Sequence, residues 1–181
     1  DTTGKGLHKR GYRVSDVAAP MKETLAAALV QLSFWRESRL LADPCCGSGT
    51  IAIEAAMIGR NQAPGLGREF ACEDWELIPK ELWKEERKAA YEAVNYDADI
   101  RIFASDIDAR AVRAARNNAV EAGVDDCVTF RRMDMREFRV GERNGIIITN
   151  PPYGERIGEQ RQIGEIYAKY RELLTENPDW S

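Results

Sequence analysis

The residues best suited to chemistry form the segment Asn150-Pro151-Pro152-Tyr153, which directly follows the apolar run 146–149. That run is too short for a helix and is typical of a buried parallel strand. Pro151 excludes Asn150 from the helical region, and the two prolines fix the backbone beyond it. The Asn150 amide and the Pro151 carbonyl therefore form rigid acceptors beside the Tyr153 ring. They suit a planar group with an exocyclic amine, such as a nucleobase, although a strand that ends in a surface turn is the alternative.

A second candidate site is the turn from Asp43 to Thr50, Asp-Pro-Cys-Cys-Gly-Ser-Gly-Thr, between the apolar segments 40–42 and 51–58. Strand, glycine-rich turn and helix in this order are typical of the first βα unit of a nucleotide-binding sheet. Asp43 would repel a pyrophosphate but suits a cationic amino-acid moiety, such as that of S-adenosylmethionine. A tight turn that needs only small residues is the alternative.

Two further acids follow predicted strands. Asp106 ends the apolar segment 100–105, where nucleotide-binding sheets bind a ribose diol. Asp134 comes shortly after the strand-like segment 127–130, and it could accept the amine of adenine while Met135 packs against the ring. A turn with a solvated Asp134 is equally consistent with the sequence. Asp108 is more simply a helix N-cap.

The first 19 residues are predicted to form a basic arm. Cations and the single histidine of the sequence surround Tyr12 here, and the candidate RNA contacts are His8, Lys9, Arg10 and Arg13. Basic residues interleaved with an aromatic side chain can bind phosphate, although a solvated arm is the alternative.

Residues 20–181 are predicted to form an α/β catalytic domain with a doubly wound, mostly parallel sheet. Apolar spacing of three and four predicts helices at about 20–35, 109–122 and 163–174, the second of them ended by Gly123. Residues 60–98 interrupt the alternation of strand and helix and are predicted to be a helical insert. The four strand segments are 40–42, 100–105, 127–130 and 146–149.

Composition narrows the class of protein. The 181 residues are 44% hydrophobic and 31% charged, which fits one ordinary domain. The net charge of -4 argues against binding nucleic acid through bulk electrostatics. No apolar run is long enough to cross a membrane. The four cysteines show no Cys-x-x-Cys spacing, which argues against disulfides and a metal site and favours a reducing cytoplasm.

Taken together, these motifs resemble the class I S-adenosylmethionine-dependent methyltransferases. More narrowly, the sequence resembles the large-subunit ribosomal RNA guanine-N2 methyltransferases that carry an upstream THUMP domain, often labelled N6-adenine-specific DNA methylases. The segments that carry the resemblance are 7–13, 43–50, 63–70, Asp74-Trp75, 105–108 and 150–156.

The resemblance implies methyl transfer from S-adenosylmethionine to an exocyclic nitrogen, most simply guanine N2, of an RNA held partly by a THUMP domain. It implies catalytic roles for Asn150, Pro151 and Tyr153, in which the first two accept the hydrogens of the amine and Tyr153 stacks on the base. The implied cofactor contacts are Asp43, Cys45, Gly47, Gly49, Thr50, Asp106, Ile107, Asp134, Met135 and Asn150.

Several rivals use related motifs. Adenine-N6 DNA methylases and glutamine-N5 protein methylases share the Asn/Asp-Pro-Pro-Tyr pattern. A non-catalytic, cofactor-binding module that docks RNA would share the fold. A nicotinamide-dependent oxidoreductase is disfavoured by Asp43 and Pro44 in the turn.

The sheet is predicted to lack its last strands, because only four strand segments are found and residues 154–181 hold a single helix. In that case the strand at 146–149 would lie at an open edge of the sheet, with its isoleucines partly uncovered, a liability for pairing and aggregation.

Overall fold

A computed structural model describes residues 2–15, 20–152 and 160–181, the last range without the side chains of 160–162. Its centre is a parallel sheet of four strands in the order β3-β2-β1-β4. The strands are β1 (Leu41–Asp43), β2 (Ile102–Asp106), β3 (Val128–Arg132) and β4 (Ile146–Ile147). The predicted α/β fold with four parallel strands is confirmed.

Five α-helices are described: α1 (Glu23–Leu32), α2 (Thr50–Gly59), α3 (Lys80–Glu92), α4 (Ala109–Ala122) and α5 (Gln160–Glu176). Short 3-10 turns occupy Ala71–Asp74, Asp125–Cys127 and Met135–Glu137. The helix α3 and the turn at Ala71–Asp74 fall within the predicted insert. No residue of α3 is buried, so this helix lies against the surface of the domain.

The two faces of the sheet carry separate hydrophobic cores, because successive side chains of a strand point to opposite faces. Leu41, Ile102 and Ile146 pack in the core shared with α1, α2 and α4. Their neighbours Ala42 and Ile147 pack in the second core, which includes Leu173 of α5. Helices therefore cover both faces, as a doubly wound sheet requires.

The helix α4 begins and ends as its sequence predicts. Asp108 is the N-cap, and its carboxylate accepts the backbone N–H of Arg110 at 2.8 Å. Gly123 closes the helix with a φ of 68°, a left-handed conformation that glycine adopts without strain.

The expectation of an open edge at 146–149 is confirmed only in part: β4 is the last strand of the described sheet and Ile147 is half-buried, but the edge is not bare. Strand β4 has only two residues, and its edge amide, the Ile147 N–H, donates to the Ser181 carbonyl at 2.8 Å. Ile146 and Ile148 are buried. Trp180 covers this region and leaves no room at Gly145, where an added Cβ would lie 2.2 Å from the Trp180 ring. The residues after α5 thus cover part of the edge.

The described part of the basic arm, residues 2–15, packs against the domain. Tyr12 is buried in the first core, and its hydroxyl donates to the Glu54 carboxylate of α2 at 3.0 Å. The backbone amides of Val14 and Ser15 both donate to the amide oxygen of Asn118 on α4. The division of the chain at residue 19 stays a prediction.

Within the described ranges 2–15, 20–152 and 160–181, no helix is long and apolar enough to cross a bilayer. No group of three or more metal-ligating side chains occurs in the same residues.

Candidate active site

The glycine-rich turn joins β1 to α2 through two residues with positive φ, Gly47 at 53° and Gly49 at 83°. A Cβ at Gly49 would lie 2.9 Å from the Cβ of Ala115. A larger residue would therefore be strained both by this contact and by the positive φ. Asn118 donates to the Ser48 carbonyl at 3.2 Å and fixes the turn from the side of α4. The turn is therefore held in a single shape at the N-terminus of α2, a position that favours ligands close to the backbone.

Asp106 lies beside this turn, as predicted. One carboxylate oxygen accepts the Gly47 N–H, and the other accepts the Asp108 N–H, both at 2.9 Å. A carboxylate has about four acceptor positions, so half-exposed Asp106 keeps capacity for two hydroxyl groups. The next residue, Ile107, is 60% exposed and offers an apolar surface at the same strand end.

Asp43 is placed differently from the expectation. It is buried, and its carboxylate accepts the Thr149 hydroxyl at 2.7 Å and the Cys45 N–H at 3.4 Å. Burial, with a smaller contribution from the charge of Asp106, raises the pKa of Asp43 to about 7 in spite of the hydrogen bonds from Thr149 and Cys45 that lower it. The prediction that its carboxylate directly meets a cationic ligand is not matched here, because the carboxylate is covered. It instead links β1 to the end of β4.

Cys45 lies next to this link. Its Sγ is 3.6 Å from the Tyr170 hydroxyl of α5. Burial raises the pKa of the Cys45 thiol to about 11 and raises that of Tyr170 as well, so both groups are neutral near pH 7. The Cys45 thiol and the Tyr170 hydroxyl therefore add polar groups to the site but no charge.

The end of β3 departs from the expectation in two ways. The Asp134 carboxylate accepts the backbone and the guanidinium of Arg136, which holds its pKa below the usual range. An adenine amine would compete with that guanidinium. Met135 is buried in the second core beside Phe138 and does not present its side chain at the strand ends.

Thr50 also differs from its predicted role as a cofactor contact. It is buried, and its hydroxyl accepts from the Arg13 guanidinium at 3.2 Å. Arg13 additionally bonds Glu23 and the Met21 carbonyl. The hydroxyl of Thr50 thus binds the arm.

Asn150 is exposed and follows Thr149 at the carboxyl end of β4. Within the described part of the chain, its side chain makes no hydrogen bond, so its amide is open to a ligand. Pro151 is half-buried beside it. Tyr153 lies outside the described residues.

Three residues of the site region escaped the sequence analysis: Thr149, Asn118 and Arg136. Thr149 could have been suspected from its place between an apolar strand and Asn150. Asn118 lies in the middle of an amphipathic helix, where nothing in the local sequence distinguishes a buried amide from an exposed one. Arg136 follows its partner Asp134 by two residues, a spacing that many surface pairs share.

A parallel sheet with helices on both faces, a glycine turn after β1 and an acid at the end of β2 define a domain of the class I methyltransferase type. The sequence model of the RMKL-like methyltransferase domain family (UPF0020) matches residues 10–179. The chain belongs to this family.

Comparison with known proteins agrees. The chain is 51% identical over its whole length to "Putative RNA methyltransferase YpsC" of Bacillus subtilis, and covers 47% of that protein. It is 43% identical to "Ribosomal RNA large subunit methyltransferase K/L" of Aliivibrio fischeri over 97% of this chain and 26% of the relative. The chain therefore spans about half, or a quarter, of the relatives it matches.

A solved structure has the same fold. SMU.472, titled "a putative methyltransferase complexed with SAH", superimposes with a TM-score of 0.93 at 43% identity. The match covers 99% of this chain and 47% of that one.

Proposed function

We propose that this domain binds S-adenosylmethionine at the carboxyl ends of β1 and β2 and transfers its methyl group. The glycine turn allows close approach to the backbone, Asp106 has acceptor positions for a ribose diol, and Ile107 offers an apolar contact for a base. SMU.472, similar over almost the whole chain, is titled as a complex with SAH, the demethylated product. These features fit the cofactor.

The acceptor in this proposal is the exocyclic N2 of a guanine in large-subunit ribosomal RNA. The observation that carries it is Asn150, an exposed amide with no hydrogen bond among the described residues, at the end of β4. The names of the two curated relatives support RNA as the substrate, and the second supports the large ribosomal subunit. In the longer protein, we expect an upstream THUMP domain to help capture the RNA in the cytoplasm.

The mechanism needs positioning more than acid–base chemistry. S-adenosylmethionine supplies a methyl group on a positively charged sulfur, which is a good leaving group. Asn150 Oδ1 and the Pro151 carbonyl accept the two hydrogens of the amine and orient its lone pair. Asp106, at the end of β2, would hold the ribose of the cofactor. Because the leaving group is already activated, no strong base is needed: the methylated nitrogen would lose one proton to water, and His8 need not be catalytic.

Tritiated methyl transfer from S-adenosylmethionine to total RNA of cells lacking the enzyme tests this proposal, followed by nucleoside analysis. The expected product is N2-methylguanosine in large-subunit RNA. Label in adenine of DNA would instead support the DNA methylase. Cofactor binding without any transfer would support a non-catalytic docking module.

A further inference from the structure

A large groove lies between the arm, the start of α1 and the insert. Its volume is about 1220 Å³, and its walls come from residues 3–13, 20–23, 66–74 and Arg87. The residues at the carboxyl ends of the strands do not line it. The groove is therefore distinct from the candidate cofactor site.

Arg68 of the insert shapes the arm wall of this groove. Its guanidinium donates to the backbone carbonyls of Thr3, Lys5, Gly6 and Lys9. The Arg68 guanidinium also stacks on Phe70, 4.8 Å from the ring centroid. The arm thus folds around one cation through its backbone carbonyls, and its two lysines, Lys5 and Lys9, are exposed.

The lysines of the groove are free to bind an anion. Lys5, Lys9 and Lys22 line it, are exposed, and make no ion pair in the described ranges. Among the groove acids, Glu23 is paired with Arg13 and Glu73 with Arg87. Arg68 adds a positive charge that no carboxylate pairs with in the described residues; its contacts are backbone carbonyls and the Phe70 ring.

The balance of charge in the groove is opposite to that of the protein. Its walls carry six lysines and arginines against four carboxylates, whereas the whole chain has a net charge of -4. An acidic protein with a positive groove is expected to direct an anionic ligand to that groove.

The structure also revises which arm residues can reach a ligand. Arg10 pairs with buried Glu54 at 3.5 Å, and Arg13 is held by Glu23. Both were predicted RNA contacts, but their charges are used inside the fold. Lys9 and half-exposed His8 keep that possibility.

Arg13 joins the groove to the glycine turn. It lines the groove, and its guanidinium reaches Thr50 at 3.2 Å and Ser48 at 3.5 Å. A ligand bound along the groove is thus next to the turn that precedes α2. The volume of the groove, about 1220 Å³, is well above that of a single base and has room for several nucleotides.

We propose that this groove binds the sugar–phosphate backbone of the RNA strand that presents the target base. Lys5, Lys9 and Lys22 contact phosphates, and Arg68 is the positioning residue that holds the arm in the shape the phosphates require. The identity of the target base depends on the proposed function, whereas the proposed phosphate contacts do not.

The test compares two triple variants of the full-length protein. One changes Lys5, Lys9 and Lys22 to Gln, and the matched control changes Lys80, Lys84 and Lys88 of α3 to Gln, which removes the same charge from an exposed surface outside the groove. The probe is a mixed-sequence single-stranded RNA of about 15 nucleotides, titrated between about 50 and 200 mM salt. SAH affinity is measured in parallel by calorimetry.

The groove variant should bind the RNA about tenfold or more weakly, and its salt slope should fall by up to about 2, since each single-strand phosphate contact contributes about 0.7. The control should stay within about twofold of wild type. Equal losses in both variants, or none in the groove variant, would overturn the proposal; in the second case an acidic protein surface becomes the better occupant. Wild type that binds RNA but not SAH would refute the proposed function alone.

Arg68→Lys separates shape from charge. It keeps the cation but cannot donate to the same set of carbonyls. We expect weaker RNA binding with unchanged SAH affinity and a folded far-UV spectrum. If RNA affinity stays at the wild-type value, Arg68 has no positioning role.

Discussion

The two sides of the strand-end site differ in how they are held. On the β1–β2 side, Asp106 accepts two backbone amides and the glycine turn is fixed by Asn118. On the β4 side, Asn150 is exposed and makes no hydrogen bond among the described residues. The difference fits two tasks. The cofactor must stay in one place, and the groups proposed to hold it are already fixed by hydrogen bonds. The reacting amine needs acceptors that no other group occupies, and Asn150 is such an acceptor. The bond between Thr149 and Asp43 joins the two sides.

The largest effect is expected at Asn150. Asn150→Ala should lower methyl transfer by about a thousandfold, because the amide acts on the acceptor amine in the transition state. SAH affinity should stay within about threefold, since the change is on the β4 side. Asn117→Ala, at an exposed position of α4, is the control. A variant at position 150 that keeps most of its turnover would remove the functional difference between the two sides.

Asp106→Ala should weaken SAH binding by about 5- to 150-fold, the equivalent of about 1–3 kcal/mol, as measured by calorimetry. Asp108→Ala is the control: it removes an N-cap and should cost about 1 kcal/mol of stability with little change in affinity. If both variants lose affinity equally, Asp106 acts only through the shape of the turn.

Thr149→Val removes the hydroxyl that bonds Asp43 and keeps the side-chain shape. We expect a loss in kcat of about tenfold, because the end of β4 that carries Asn150 is less well fixed, an effect of about 1.4 kcal/mol. Thr149→Ser should recover most of the rate. Equal rates in Val and Ser variants would mean that the bond does not position Asn150.

The last prediction concerns the pH dependence of folding stability and not methyl transfer or SAH binding. The folded-state pKa of Asp43, about 7, lies above its ordinary value of 3.8, so the native state holds a proton that the unfolded chain releases. This contribution to stability is fully present below about pH 4 and is lost as pH rises to about 7. The stability of Asp43→Asn relative to wild type should therefore increase by about 1 kcal/mol per pH unit across that window.

Chemical denaturation at several pH values measures that difference, with exposed Asp125→Asn as the control. A constant difference between Asp43→Asn and wild type from pH 4 to 7 would show that Asp43 is ionised throughout.

Much of the fold could be predicted because its signals are local. The apolar runs give the strands, and the N-cap Asp108 and Gly123 give the bounds of α4. The sheet edge could not be predicted in the same way. The bond from Ile147 to Ser181 joins residues that are 34 positions apart, through backbone groups that every sequence has.

The candidate site shows the same division between features set by local sequence and features set by distant contacts. The strand ends that carry Asp43, Asp106 and Asn150 follow from strand periodicity and topology, since parallel strands end at a common edge. The direction of each side chain cannot be predicted from strand periodicity and topology. Arg13 pairs with Glu23 and is not left for a ligand, and Asp43 is covered and bonded to Thr149. Both outcomes depend on partners supplied by other segments of the chain.

The contact between Gly145 and Trp180 has a consequence for assembly. A methyl group at position 145 would displace the indole and, with it, the Ser181 carbonyl that occupies the Ile147 amide. The segment 177–181 would then be available to pair with the same edge of a second molecule, as in domain swapping. The absence of one side chain thereby keeps the partner of this edge within the same molecule.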